Sequence, residues 1–224
     1  MIRFDFANPY LIYFLYNLLF IATVLALFFF KGFFKRNEEA ILRLSGVLLL
    51  YSQVVLYIFP LFEGNYTLPF FICRITTLLV LFYFFFGGKF LHDVLFFFGS
   101  TGMFAVWIPA GPIDNIANLR EYYFIGHYFV ALFPFYLIAV KNYRPTRPTA
   151  IAMAVGFGVF LAAFVPVNEA MGWNYFFLSD RNPLFDMFPW MNHYIFAFLH
   201  ALGLLLWFWL LVKLSDFYYD KSVS

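Results

Sequence analysis

The predicted fold class is an all-α polytopic membrane protein with seven transmembrane helices. Three observations predict it: seven long windows almost free of charge, a composition that is 64% hydrophobic, and positive charge gathered in alternate gaps between the windows. A helix rises about 1.5 Å per residue, so about 20 apolar residues cross a hydrocarbon core. Inside lipid only helices and closed barrels satisfy every backbone group, and these windows are too long and too evenly apolar for barrel strands.

In chain order the windows are 6–30, 44–62, 64–88, 94–113, 122–140, 148–168 and 187–212. The first has most of its flanking charge after the apolar run and no small-residue cleavage site, so it is expected to remain as a helix rather than act as a removable signal. The third is interrupted only by Arg74. The fifth carries Pro134 in its middle, which frees a carbonyl one turn earlier and predicts a kink. The sixth repeats Ala150, Ala154, Gly158 and Ala162 four apart, a stripe that lets helix backbones approach closely in lipid. Gly156 and Gly158 belong to that packing and not to a nucleotide loop, because no strand precedes them and no third glycine follows. Most connections are short and predict antiparallel neighbours. The one long connection, 168–190, holds Gly172, Pro183, Pro189 and many aromatics, and predicts a cap over the outer mouth.

The gaps set the orientation. With the N-terminus outside, the outer side receives Arg3, Arg120 and Arg181. The inner side receives Lys31, Lys35, Arg36, Arg43, Lys89, Lys141, Arg144, Arg147, Lys213 and Lys221. Short loops rich in Lys and Arg stay in the cytoplasm, so the N-terminus is expected out and the C-terminus in. A topology reporter fused at Ser224 is expected to read from the cytoplasm; a signal from outside would reverse the assignment.

Composition narrows function by exclusion. The helices and connections leave room for one domain, 1–224, and a net charge of +2 offers no nucleic-acid face. A single cysteine allows no internal disulfide. The partner expected is membrane lipid, with no nucleic acid and no cofactor; the location expected is a cell membrane, crossed several times.

Against this apolar background the polar exceptions stand out. Cys73 and Arg74 lie five or six residues past the expected entry of the third window at Leu68, about 8 Å below the outer edge at helical rise. His127 lies at the same depth in the fifth window, and His193 in the first turn of the seventh. Asn168 and Glu169 close the outer end of the sixth, and Asn174 follows in the cap. A thiol, a guanidinium, two imidazoles and carboxamides are thus expected in one outer layer. Gln53, Thr76 and Thr77 lie deeper, His92 falls in an inner loop, and none of these is expected to form a comparable cluster.

Bland roles exist for each member. A lone membrane cysteine packs as a small hydrophobe, Arg74 can snorkel to headgroups, and histidines near the rim find water or neighbours. His200, two turns below His193, reads as a helix–helix contact. Metal binding is not predicted: His193 and His200 are about 10 Å apart along one axis, too far to share an ion. A metal held by one histidine from each of the fifth and seventh windows with Glu169 is the remaining metal alternative. A thiol–imidazole pair fits better, since an imidazole takes the thiol proton and a nearby guanidinium favours the thiolate. Arg74, Asn168 or Asn174 then serve a developing oxyanion, and the depth matches that of lipid esters. The competing class is a non-enzymatic binder or transporter that holds a small anionic solute or lipid headgroup through Arg74.

The segment LPFFICRITTLL at 68–79, the element YYFIGHYF at 122–129 and the pattern N-x5-NYFFL…NP…FPW at 168–190 resemble the YwaF-like family of bacterial integral membrane proteins. More distantly, that family is similar to a mammalian transmembrane acyltransferase of ether phospholipids and to the androgen-induced threonine hydrolases of lipid esters. The resemblance implies a Cys and a His on separate membrane helices as catalytic residues, at Cys73 and His127 here. It departs from the family pattern at 103–112, which lacks the usual glutamine-rich element, and at Phe71, near which the family often has histidine.

Overall fold

The computed structural model describes residues 9–58, 72–107, 120–172 and 192–221, and among these every regular element is a helix. Eight α-helices are present among the described residues: α1 Pro9–Phe29, α2 Lys31–Arg36, α3 Glu38–Gln53, α4 Ile72–Phe86, α5 His92–Trp107, α6 Arg120–Ala139, α7 Arg147–Met171 and α8 His193–Lys221. A π-helical turn, Val54–Ile58, continues α3, and a 3-10 turn, Lys89–Leu91, leads into α5. Three stretches are long and apolar enough to cross a membrane: Glu38–Leu56, Arg147–Met171 and His193–Asp220. Shorter apolar helices run Tyr13–Phe29, Ile72–Phe86 and Phe124–Ala139. Phe29, Phe86, Val159 and Phe198 are each more than half exposed, as lipid-facing side chains are.

The chain divides into two compact units, Met1–Tyr143 and Arg144–Ser224. In the first, α6 is the central helix and packs against α1, α3, α4 and α5. Leu49, Val80, Leu95, Phe97, Val130 and Leu137 are fully buried in its core. Aromatic edges hold the layers together: Tyr83 meets Phe133 at 4.9 Å and Phe84 meets Phe129 at 5.6 Å, both near perpendicular. At the other side of α6, Tyr16 of α1 stacks on Phe124 at 4.6 Å, and the Thr23 and Tyr128 hydroxyls share a hydrogen bond.

Pro134 lies inside α6, which continues past it to Ala139. A proline has no N–H to give the carbonyl four residues back, so the Val130 oxygen lacks its helical donor. That oxygen lies at the crossing with α5, where Gly99 lets the backbones meet: a Cβ on Gly99 would sit 2.9 Å from Val130 O and 3.2 Å from Pro134 Cδ. Gly102, one turn on, would place a Cβ 2.7 Å from Val130 Cγ1.

The second unit is a helix pair. Thr146 caps α7 by accepting the Thr149 N–H at 3.4 Å, and Pro148 sits in its first turn, where no donor is missed. At the far end Gly172 adopts φ 64° and returns its N–H to Asn168 O, a left-handed cap that suits glycine. Gly172, expected as part of a cap over the outer mouth, is therefore a helix terminator. The rest of that expected cap, 173–190, lies outside the described residues. Ala150, Ala154, Phe157, Leu161, Val165 and Asn168 form the buried face of α7. The small-residue stripe does what its spacing predicts: a Cβ on Gly158 would lie 2.9 Å from Ala201 Cβ on α8. His200 is a helix-contact residue as expected, its ring 5.9 Å from Phe157 and 5.9 Å from Phe196.

Candidate functional site

Cys73 and Arg74 occupy the first turn of α4, and both are half-buried. One turn further on, the Thr77 hydroxyl donates to the Cys73 carbonyl at 2.7 Å, and Thr76 does the same to Ile72. These bonds satisfy two hydroxyls inside apolar surroundings, where a lost bond is costly. Thr76 and Thr77 are almost fully buried, so this face of α4 points into the first unit.

His127 is half-buried on α6, directly after Gly126. Gly126 is where three helices converge: a Cβ built there would lie 3.5 Å from Gln53 Nε2 of α3 and 3.9 Å from both Thr77 Cγ2 and Thr77 Oγ1 of α4. α4 and α6 thus pass each other at Thr77 and Gly126. Cys73 lies four residues, about 6 Å of helical rise, from Thr77, and His127 lies next to Gly126.

This crossing also revises the rank of Gln53, Thr76 and Thr77, expected as deeper residues outside any cluster. Ser52, Gln53, Thr76 and Thr77 are all buried, and Gln53 Nε2 donates to Ser52 Oγ at 3.1 Å. Ser52 Oγ in turn donates to Leu49 O at 2.8 Å. The π-helical turn begins directly after Gln53, a wider winding often found at functional sites. A short polar run, Ser-Gln, inside an apolar window was the available signal; it says nothing of the partner helix.

The remaining expected residues lie in the second unit. Asn168 is only 2% exposed on the inner face of α7. His193 opens α8 and is half-buried, and the Asn192 side chain just before it accepts the Ile195 N–H at 2.9 Å, as an N-cap does. Asn174 lies outside the described residues. Among the described residues, no three His, Cys, Asp or Glu side chains gather closely enough to hold a metal ion.

His92, expected in an inner loop, instead opens α5, with Tyr83 Oη 3.2 Å from its Nε2. It belongs to a second polar group at the other end of α4.

Comparison with known proteins adds one match. The family described as the TMEM164 family matches residues 6–212, nearly the whole chain. No curated protein and no solved structure matches.

Proposed function

This chain belongs to the TMEM164 family of membrane proteins, and from that premise we propose that it is a lipid acyltransferase or lipid-ester hydrolase working through Cys73 and His127. In this reading residues 1–224 form one domain of seven spans in a bacterial cytoplasmic membrane. The N-terminus is outside, as the ten inner and three outer cations favour. The likeness to YwaF-like proteins at 68–79 and 122–129 belongs to the same reading.

The observation that carries it is the α3–α4–α6 crossing at Gly126, one residue from His127 and one turn from Cys73. A buried polar layer sits there in an otherwise apolar bundle, and polar groups in membrane helices are costly enough to need a purpose.

The chemistry then balances as follows. His127 takes the Cys73 proton, and the thiolate attacks the ester carbonyl of a lipid. A C–S bond forms, the ester C–O bond breaks, and the imidazolium returns the proton to the departing lysolipid oxygen. His127 next deprotonates the acceptor hydroxyl, whose oxygen displaces the thiolate; water as acceptor gives hydrolysis. Arg74 supplies positive charge near the developing oxyanion.

The thioester offers a direct test. Protein in vesicles with a lipid carrying a radiolabelled acyl chain is expected to acquire label that hydroxylamine removes. The labelled peptide should contain Cys73. Label that resists hydroxylamine, or that appears on a Cys73→Ser variant in equal amount, would sink the reading.

A further inference from the structure

At the end of α4 away from Cys73, the first unit holds a pocket of ≈ 390 Å³ between α3, α4, the start of α5 and the end of α6. Its size is that of a site for a small ligand or headgroup. Its charged lining comprises Glu38, Glu39, Arg43, Lys89 and Lys141, with His92 beside them. Leu42, Phe84 and Phe85 form an apolar wall.

The charges are arranged unevenly. Lys141 Nζ lies 2.6 Å from Glu38 Oε1, and the Tyr136 hydroxyl donates to the same carboxylate oxygen. Arg43 pairs with Glu39 at 2.5 Å. Next to them the Tyr143 hydroxyl donates to Asp93. Burial, with the Lys141 ammonium adding to it, holds the His92 imidazole below its ordinary range, so it is uncharged at neutral pH. Asp93, bonded to Tyr143, is outside the pocket's lining, and among the residues within it three cations therefore face two carboxylates, a surplus of one positive charge. Lys89 supplies it: among the described residues it has no carboxylate within ion-pair distance.

The backbone places that lysine. Gly87 and Gly88, at φ 68° and 123°, make a turn that other residues adopt only with strain, and a Cβ on Gly88 would lie 2.6 Å from Phe90 Cε1. Lys89, itself exposed, is thereby set in the pocket's lining, with the exposed Phe86 three residues before it and the exposed Phe90 directly after it. A cation next in the chain to exposed aromatic rings suits a headgroup level, with apolar surface toward lipid and charge toward water.

We propose that this pocket binds the phosphodiester headgroup of a membrane lipid, with Lys89 contacting the phosphate and the Leu42–Phe84–Phe85 wall taking the glycerol end. A diester carries one negative charge and matches the surplus charge one for one. A free phosphate monoester carries about 1.5 to 2 near neutrality, and has no use for the apolar wall. The Lys141–Glu38 pair ties the end of α6 to the start of α3, and the exposed Arg43–Glu39 pair lies within α3; neither supplies further net charge. The site is independent of chemistry at Cys73, about 15 Å of helical rise away from Tyr83.

The full chain in detergent tests this by thermal melting during titration with dihexanoyl phosphatidylglycerol, dihexanoylglycerol or inorganic phosphate. Saturable stabilisation by the phospholipid but not by the phosphate-free diglyceride is expected. Lys89→Gln should weaken it by about tenfold, and Lys89→Arg should keep it. Because Lys89 is exposed, both variants should melt like the wild type without ligand; Cys73→Ala should bind like the wild type. Inorganic phosphate binding as tightly as the lipid would overturn the lipid source and leave an anion site. Equal stabilisation by the diglyceride, or unchanged binding by Lys89→Gln, would overturn the site itself.

Discussion

Replacing Cys73 by alanine is expected to abolish acyl transfer and thiol labelling together, and His127→Ala to slow transfer by about 10²- to 10⁴-fold, the usual worth of a positioned acid–base group. Cys73 is half-buried and its side chain is small, so the truncation removes little packing and should leave the melting temperature close to that of the wild type. The two residues act on one proton, so the double variant is expected to be no slower than Cys73→Ala alone. A His127→Ala enzyme should regain part of its rate as pH rises, because hydroxide then generates the thiolate that the imidazole no longer supplies. Radiolabelled lipid transfer in vesicles, with melting run alongside, reads all of these. Undiminished transfer by folded Cys73→Ala would end the assignment.

The largest expected effect on stability lies elsewhere, at the α5–α6 crossing. Gly99→Ala puts a methyl group 2.9 Å from the Val130 oxygen, and that atom belongs to the backbone of a buried helix. It cannot swing aside as a flexible side-chain tip would, so the two helices must separate. The Val130 carbonyl, already without its helical donor because Pro134 has no N–H, then also loses its close approach to the Gly99 backbone. Overpacking of this kind costs about 1–3 kcal/mol, a large part of the margin of a folded domain. Gly156→Ala is the comparison: a Cβ there meets nothing within 4 Å, and the helix gains up to about 1 kcal/mol in propensity. Melting in detergent should separate the two variants clearly. A Gly99→Ala protein as stable as Gly156→Ala would mean that the crossing is looser than described.

These two positions differ in how legible they were. Cys73 and His127 stood out because a polar residue in an apolar window is conspicuous whatever it touches. Their grouping is a proposal, argued from the meeting of α4 and α6 at Thr77 and Gly126. Gly99 carried no comparable signal, since a lone glycine in an apolar run reads as permissive packing until the neighbouring carbonyl is known. Pro134 announced the freed carbonyl, and the kink expected from it bears on a helix that runs on to Ala139 with Gly99 packed beside it. Gln53 and Thr77 were visible yet ranked too low. Their depth along each helix was readable, but their direction around the axis was not.

From sequence alone came the all-helical class, the membrane character, the stripe from Ala150 to Ala162 and the role of His200. Each depends on composition or on spacing along one helix, which backbone geometry and the absence of water in lipid translate directly into structure. Tertiary structure alone decided that Gln53 and Thr77 meet Gly126, that Val130 O faces Gly99, and that Glu38 receives Tyr136 from 98 residues away. Helices that are apolar all round can turn about their axes with little change in the surface they offer lipid. Which faces meet is then fixed by close packing and paired polar groups, and these exist only once the helices stand side by side.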